Sequence, residues 1–357
     1  MSQTEDLPEP WHEPWPSAGL EAVDCCPVCG DARRKLLYSQ LVDCVFRAAP
    51  GKWQLWICNS CRTAYLSPRP SPETIQIAYT TYLTHYPPPP RTEYAALTVH
   101  QKVKQLLLNG YANWRYNTHA VPASPFGSVV VNLMPYLRIA VDREYRYIPR
   151  PSTANASLLD VGCGNGEYLR IARGCGYRAV GLEPDPAAVA LCRAMNLEVH
   201  AAGINFFDSH SEIFDVITLS HVIEHVHQPC SLLSACYRLL RPGGFLWMET
   251  PNMLSFGHFW FRRDWRGLEV PRHLVIFSRN TLHNTLSSIG FRDIEDRPRP
   301  SRALSMFTAS AAMKESRPVN SPNLATPWSA RLLAVLAATL GAFLPTRREF
   351  INLTARK

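Results

Sequence analysis

Two pairs of cysteines near the start of the chain have the spacing of metal ligands. Two residues separate Cys26 from Cys29, and two separate Cys58 from Cys61. A Cys-x-x-Cys pair closes a tight turn that presents two thiolates, and two such pairs complete the tetrahedral set that Zn²⁺ prefers. A strand-like run, 52–57, leads into the second pair. We therefore predict a structural zinc ribbon, the alternative being four buried, reduced cysteines without a metal.

A second segment whose residues could bind a ligand is rich in glycine. The run LLDVGCGNGEYL (158–169) predicts a strand, a turn containing Gly162, Gly164 and Gly166, and then a helix. Glycines let the backbone approach a ligand closely and adopt positive φ. The G-x-G-x-G spacing departs from the dinucleotide-binding G-x-G-x-x-G, and Asp160 precedes the glycines in a position to hold an ammonium group. Together these features favour S-adenosylmethionine as the ligand.

A carboxylate follows about twenty residues later. The segment VGLEPDP (180–186) ends a second predicted strand at Glu183. In a Rossmann-like fold this position accepts hydrogen bonds from the two ribose hydroxyls, because a carboxylate offers paired lone pairs to a vicinal diol. Glu183 is therefore predicted to bind the cofactor, and the alternative is a solvated acid at a strand end.

Histidines supply the third candidate group. His221, Glu224 and His225 follow the fourth predicted strand, at the edge where open α/β sheets bind ligands. They could begin a helix, exchange protons or hold a divalent ion, and all three alternatives remain open. His273 follows an aromatic segment that we interpret as a lid, and a histidine near neutral pKa suits deprotonation of an acceptor hydroxyl. His273, His221 and His225 are thus the catalytic candidates, with His273 as the preferred base.

Short apolar strands and amphipathic helices alternate from Ser157 onward, which is typical of an α/β fold with a parallel sheet. The pattern predicts seven strands, near 157–162, 179–183, 197–201, 214–219, 244–249, 291–296 and 349–355. We expect a disordered tail over 1–20, a zinc ribbon over 21–70, a linker with capping helices over 71–150, and a Rossmann-like domain over 151–357 that carries an insertion at about 298–346.

Composition constrains the partners. The formal charge is +8, and 46% of the residues are apolar, enough for a sizeable core. The first twenty residues have neither a basic start nor an apolar run, so we expect no signal or transit peptide and a cytoplasmic protein. The apolar run 332–344 is shorter than the roughly 20 residues of a spanning helix. We expect it to form a buried or self-associating helix, with peripheral membrane contact as the alternative.

In five motifs the chain resembles class I S-adenosylmethionine-dependent methyltransferases, and within them ubiquinone-pathway O-methyltransferase-like proteins with an N-terminal zinc ribbon. Besides the two segments above, the motifs are FDVITLSHVIEHVHQP (214–229), LLRPGGFLWMETPN (239–252) and PRHLVIFSRNTLHNTLSSIGF (271–291). The resemblance implies that the following residues bind the cofactor: Asp160, Gly162, Cys163, Gly164, Glu183, Leu219, Ser220 and His221. In the broader family Glu-His-Val mainly begins a helix, whereas small-RNA 2′-O-methyltransferases bind a divalent ion through a similar spacing.

The resemblance favours an enzyme that methylates oxygen in a sugar, a polysaccharide precursor or another small specialised metabolite. Positive charge, the zinc ribbon and interleaved Arg and Trp at 260–266 keep a nucleic-acid methyltransferase as an alternative. A non-catalytic scaffold with a zinc ribbon is the third hypothesis. The intact glycines, Asp160 and Glu183 argue against it.

Overall fold

The computed structural model describes residues 9–80, 94–298, 302–319 and 324–357. The amino-terminal part is built on short strands around the two cysteine turns. These strands are β1 (Leu20–Glu21), β2 (Arg34–Leu41), β3 (Trp53–Cys58), β4 (Ala64–Leu66) and β5 (Arg69–Pro70). β2, β3 and β4 pair antiparallel, and β1 pairs with β5. The predicted strand before the second cysteine pair is thus present as β3.

Three helices follow, α1 (Val99–Tyr116), α2 (Gly127–Leu133) and α3 (Pro135–Glu144). α1 begins at a capping box, in which the Thr98 side chain accepts from the backbone N–H of Gln101 and the Gln101 side chain reaches back. It ends at Asn117, whose left-handed conformation lets the chain turn away from the helix axis. α3 leads to Arg146 and Tyr147, both at positive φ.

The remainder of the chain alternates strands and helices as the sequence predicts. The elements are, in chain order, β6 (Ser157–Val161), α4 (Glu167–Gly174), β7 (Arg178–Leu182), α5 (Pro186–Ala194), β8 (Glu198–His200), β9 (Phe214–Ser220), α6 (Pro229–Leu239), β10 (Leu240–Pro251), α7 (Phe256–Phe261), β11 (Val275–Ile276), α8 (Arg279–Ile289), β12 (Arg292–Asp296), α9 (Ala303–Lys314), α10 (Trp328–Phe343) and β13 (Phe350–Arg356).

Seven of these strands form one sheet in the order β12-β13-β10-β9-β6-β7-β8. β13 runs antiparallel to both its neighbours, and the five strands from β10 to β8 in this order are parallel. The chain proceeds from β6 outward to β8 and then returns to β9 on the other side of β6. The strand order therefore reverses between β6 and β9, which is where open α/β sheets bind their ligands. The prediction of a seven-stranded Rossmann-like sheet is confirmed.

The two faces of this sheet bury different parts of the chain. Leu158 and Val216 belong to a core that also contains Tyr111 and Val141 of the helices α1 and α3. Their neighbours along the same strands point to the opposite face, as strand alternation requires, and join a core that contains Trp53 and other side chains of the cysteine-rich part. The amino-terminal sheet is thus one of the layers that cover the large sheet.

The amino-terminal sheet also incorporates a strand from the carboxyl-terminal half. β11 pairs antiparallel with β4, so the small sheet has the order β11-β4-β3-β2. Nearby, the guanidinium group of Arg272 donates to both carboxylate oxygens of Asp43, at 2.9 and 2.8 Å, and both side chains are fully buried. The domain boundaries at residues 70 and 151 stay predictions from the sequence. In the structure the predicted zinc ribbon and the predicted Rossmann-like domain share a sheet and a core.

The prediction of a disordered tail over 1–20 is wrong where the structure describes it. Trp15 is buried, its ring packs edge-on against Trp53, and its indole N–H donates to the carbonyl of Gly19 at 3.2 Å. A large indole with a satisfied N–H contributes enough burial to order the flanking residues. Residues 1–8 of the predicted tail and the four prolines of the linker, 87–90, lie outside the described residues.

The predicted insertion contains α9 and α10, which pack against each other, while 299–301 and 320–323 lie outside the described residues. We predicted a buried or self-associating helix here, and α10 is not buried throughout, since Leu332, Val335 and Phe343 are exposed on one side. Self-association stays a prediction. Within the described residues, no helix combines the length and the apolar character needed to cross a membrane.

Candidate functional site

The glycine turn connects β6 to α4 at the point where the strand order reverses. Gly162, Gly164 and Gly166 all have positive φ, between 53° and 77°. A Cβ on Gly162 would lie 2.7 Å from Val222 Cγ2, so a larger residue would displace the segment that follows β9. The turn therefore requires glycine both for its conformation and for its close approach to the neighbouring strand end.

Glu183 follows β7 and holds the glycine turn from the side. Its carboxylate accepts from the backbone N–H of Gly164 at 2.8 Å and from that of Asp185 at 3.1 Å. Burial raises the pKa of Glu183, and these two backbone hydrogen bonds oppose the shift. A carboxylate has about four lone-pair sites, so two remain for ligand hydroxyl groups.

Asp160, near the end of β6, is buried and is held by two donors. Arg146 and Thr218 both donate to its Oδ1, the latter at 2.7 Å. Its Oδ2 is buried without a hydrogen-bond partner among the described residues, and burial raises the pKa of this carboxyl group. A buried acceptor with an unused oxygen is costly unless a ligand or water satisfies it. This atom fits the predicted contact with the ammonium group of a methionine moiety, directly or through water.

A cavity of about 530 Å³ opens above these groups. Its volume lies in the range of about 300–1,000 Å³ that small-molecule sites occupy. Of the predicted cofactor residues, Gly162, Cys163, Gly164 and Ser220 line it. Leu219 is buried beneath Ser220, and Glu183 and Asp160 reach the wall through their hydrogen bonds to Gly164 and Arg146. The loops after β6 and β9 thus bring most of the predicted set to one place.

The sequence analysis missed the side chains on the opposite wall of the cavity. Arg146 stacks on the ring of Tyr168, with Cζ 3.5 Å from the ring centroid, and also lies over Trp247. The indole N–H of Trp247 is buried without a partner among the described residues. Arg143 donates to Glu249 at 2.7 Å, and Arg302 adds a third guanidinium group to the lining. The resulting wall is aromatic and carries three guanidinium groups, two of which pair with the buried carboxylates of Glu249 and Asp160.

The four ribbon cysteines come together as predicted. The Sγ atoms of Cys26 and Cys61 are 3.5 Å apart, as are those of Cys29 and Cys58, and all four lie within 4.8 Å of one another. Each pair sits on a turn in which a carbonyl accepts from the residue four positions later, Cys26 from Gly30 and Cys58 from Arg62. With Zn–S bonds of about 2.3 Å, a tetrahedral site separates its sulfurs by about 3.8 Å. The thiols therefore fit a zinc ion.

The histidines form a separate cluster behind the loop after β9. His225 Nδ1 lies 3.1 Å from the carbonyl of Arg272, and its ring packs edge-on against His273. His273 is buried, and its Nδ1 lies 2.8 Å from the carbonyl of Gly267. Burial and the nearby His273 lower the pKa of His225 to about 4, so this ring is neutral at pH 7. These contacts attach the segment before β11 to the end of β9.

His221 differs from the other two histidines because it is held between carboxylates. Its Nδ1 lies 3.2 Å from Glu224 and its Nε2 lies 3.3 Å from Glu249. Burial by itself would lower the pKa of His221, but the two carboxylates raise it to about 9. A ring that is protonated at neutral pH cannot accept a proton from an acceptor. In this arrangement His221 is a partly exposed cation held between two buried carboxylates.

None of the three histidines belongs to the described residues that line the 530 Å³ cavity. Glu224, His225 and His273 place potential ligand atoms within 4.8 Å of one another. The two oxygens of Glu224 already contact His221 at 3.2 Å and accept from Thr250 at 2.9 Å. The geometry therefore agrees with the structural alternative, and the catalytic assignments of His273, His221 and His225 stay predictions.

Comparison with known proteins identifies the fold around this cavity. Residues 136–296 match a family model described as a methyltransferase domain. This region is therefore similar to methyltransferase domains, and we refer to residues 136–296 as the methyltransferase domain. It contains the glycine turn, Glu183, the loop after β9 and the histidine cluster. The methyltransferase domain therefore includes almost all of the predicted site.

Curated relatives match about a third of this chain or less. A ubiquinone biosynthesis O-methyltransferase of Thiobacillus denitrificans is 32% identical over 111 residues, which are 29% of this chain and 47% of that protein. A probable S-adenosylmethionine-dependent methyltransferase of Mycolicibacterium smegmatis is 31% identical over 105 residues, 29% of this chain and 41% of that protein. The chain thus spans about half the length, or less, of the curated relatives it matches.

Among solved structures, an S-adenosylmethionine-dependent methyltransferase from Archaeoglobus fulgidus superposes with a TM-score of 0.41 and 22% identity, covering 60% of this chain and 91% of that one. A putative sarcosine dimethylglycine methyltransferase from Galdieria sulphuraria gives a TM-score of 0.43 at 15% identity, covering 62% and 88%.

Proposed function

We propose that the protein transfers a methyl group from S-adenosylmethionine to a hydroxyl oxygen of a sugar, a polysaccharide precursor or another small specialised metabolite. The observation that carries this proposal is the cavity at the reversal of strand order, with the glycine turn and Ser220 on its wall and Glu183 and Asp160 bonded to that wall. The cofactor, when bound, supplies an electrophilic methyl group on a sulfonium centre.

The residues around the cavity have complementary tasks. Glu183 would accept from the ribose hydroxyls, since its carboxylate retains lone pairs beyond its two backbone hydrogen bonds. The buried Oδ2 of Asp160 would accept from the ammonium group. Arg143 and Arg302 on the wall would attract a carboxylate, either that of the cofactor or one on an acidic acceptor. Trp247 and Tyr168 exclude water from this side and give the acceptor an apolar surface.

Calorimetric titration with S-adenosylmethionine tests the cofactor site. Glu183→Ala should weaken binding by about tenfold or more, because it removes acceptors for two hydroxyl groups. Glu198→Ala is the matched control, since this acid stands on the neighbouring strand β8 but is exposed and pairs with Arg178. Undetectable binding of the cofactor to the wild-type protein at high micromolar concentration would instead favour a scaffold.

Transfer to the acceptor depends here on alignment more than on a histidine base. His221 is protonated at neutral pH, and the Nδ1 atoms of His225 and His273 contact backbone carbonyls. Proximity and orientation alone can supply much of the acceleration of a methyl transfer. Release of S-adenosylhomocysteine on incubation with candidate sugars measures turnover. A loss of about a hundredfold in His273→Asn, with the fold intact, would restore His273 as general base.

We also propose that the four cysteines bind one structural zinc ion. Their mutual distances and their two turns support this assignment. The metal would link the turn before β2 to the turn after β3. Chelation of the purified protein should release one zinc ion for each chain and lower the unfolding temperature. A metal-free preparation that unfolds at an unchanged temperature contradicts the assignment.

A further inference from the structure

The helix α10 has the reverse of the usual distribution of side chains. Its buried residues are small: Ala330, Ala334, Ala337 and Gly341. Its large apolar side chains face outward, with exposed fractions between 47% and 80% for Trp328, Leu332, Val335, Leu336 and Phe343. Small residues let α10 lie close against α9, which also contributes alanines to the contact. The helix thus packs through the side that carries small residues, and the side that carries large apolar residues is exposed.

The outward side of α10 forms a continuous apolar surface. Residues 332, 335, 336 and 343 are spaced as one helix face, and Leu344 beyond the helix end is also exposed. Phe259 and Trp260 of the adjoining helix α7 are exposed as well. Isolated apolar residues on a surface are ordinary, but a contiguous stripe of this kind marks an interaction surface. We call these residues of α10, together with Leu344, the α10 face.

Charge identifies the occupant of the α10 face. Between 302 and 348 the chain has six basic residues and a single acidic one, Glu315, which pairs with Arg317. Arg331 is exposed within the helix, and Arg347 is exposed just beyond its end. An isologous contact between two copies would bring each patch against itself, so these arginines would face arginines. An apolar stripe with positive flanks is instead complementary to the acyl chains and headgroups of an anionic bilayer.

We propose that the α10 face docks on an anionic membrane surface, with the helix lying in the plane of the headgroups. Trp328 at one end and Phe343 at the other add large aromatic side chains to the apolar side of the helix, as in helices that lie in a membrane interface. Arg302 precedes α9 directly and lines the 530 Å³ cavity. Through its packing against α10, α9 connects the docked helix to the wall of the cavity. This inference does not depend on the proposed methyl transfer.

Vesicle flotation tests the proposal. The full chain is mixed with vesicles of phosphatidylcholine alone or of phosphatidylcholine with phosphatidylglycerol. The wild-type protein should float with the phosphatidylglycerol vesicles, and added salt should weaken binding. Leu332→Glu combined with Val335→Glu should lower the affinity by about tenfold or more, because two apolar side chains lose their burial in the interface. Arg331→Gln should lower it by about fivefold, the contribution of one basic residue near an anionic surface.

The helix α2 provides the matched control. Val129 and Leu133 are 60% and 78% exposed there, so Val129→Glu with Leu133→Glu makes the same chemical change on another surface. This control should bind vesicles as the wild type does, and circular dichroism and urea unfolding verify that both double variants fold. Equal losses in the two double variants contradict the proposal, as does a wild-type protein that floats with neither vesicle. A wild-type dimer that Leu332→Glu with Val335→Glu dissociates, without vesicle binding, would assign the face to a second copy.

Discussion

Replacement of Asp43 by alanine tests how firmly the cysteine-rich part is attached to the methyltransferase domain. The Asp43 carboxylate accepts five hydrogen bonds: two from the Arg272 guanidinium group and one each from the backbone N–H groups of Phe46, Ala48 and Ala49. Arg272 is fully buried and also lies over the ring of Phe46, with Cζ 4.4 Å from its centroid. Asp43→Ala would leave this guanidinium charge buried without its counterion.

The expected cost of Asp43→Ala is about 3–5 kcal/mol of unfolding free energy, the usual penalty for removing one partner of a buried ion pair. This is a large part of the roughly 5–15 kcal/mol that stabilises a typical domain. Burial alone would raise the pKa of Asp43, but Arg272 and the backbone donors lower it below its ordinary 3.8. The stabilisation is therefore present above about pH 4 and is lost as the pH falls through the lowered folded-state pKa.

Urea unfolding at pH 7, followed by tryptophan fluorescence and circular dichroism, measures this cost. The control is Asp24→Ala, because Asp24 is exposed and its pair with Arg34 spans 3.4 Å, so the loss should stay below about 1 kcal/mol. If the difference in unfolding free energy between pH 7 and pH 3 were the same in Asp43→Ala as in the wild type, the link between Asp43 protonation and stability would be refuted. A loss below about 1 kcal/mol in Asp43→Ala would show that the buried pair does not attach the two parts.

Two further predictions concern the site. His221→Gln should remove a stabilising contribution that is present below about pH 6.5 and is lost as the pH rises toward 9, because the pKa of His221 is raised to about 9. If the unfolding temperature of the variant depends on pH as that of the wild type does over this range, the prediction is contradicted. Gly166→Ala should cost about 1–3 kcal/mol in urea unfolding and weaken cofactor binding, because φ is 77° and a Cβ would lie 2.5 Å from Leu197 Cδ1. Gly174→Ala is its control, since a Cβ there meets nothing within 4 Å; equal losses at both glycines would refute the argument.

The sequence predicts the cofactor side of the site because that side is built from local patterns. The glycine turn, Glu183 and the loop after β9 each follow a strand whose apolar run is visible in the chain, and all seven predicted strands are present. The parallel order of a Rossmann-like sheet then brings the strand ends together. No knowledge of distant contacts is needed for this step.

The opposite wall of the cavity depends on contacts that the sequence pattern does not encode. Arg143, Arg146 and Arg302 come from helices and loops outside the motif segments, and their positions follow from the packing of α3 and α9. The two-residue strand β11 is likewise too short to give a periodic signal, and its partner β4 lies about two hundred residues earlier. The sequence analysis assigned His225 and His273 to catalysis because it could not detect this long-range pairing. In the structure the two rings pack together beside the junction between the small and large sheets.

The pairing of β11 with β4 has a consequence for how this protein can be modified. A shortened chain that starts after the cysteine-rich part would lose the edge partner of β11 and the acid that neutralises Arg272. It would also uncover a face of the large sheet that several tryptophan and leucine side chains now cover. Such a fragment should be insoluble when expressed alone, and the cysteine-rich part should not be transferable to another protein as an independent module. In evolution the cysteine-rich part and the methyltransferase domain are therefore expected to have changed together, rather than one of them being replaced by an unrelated domain.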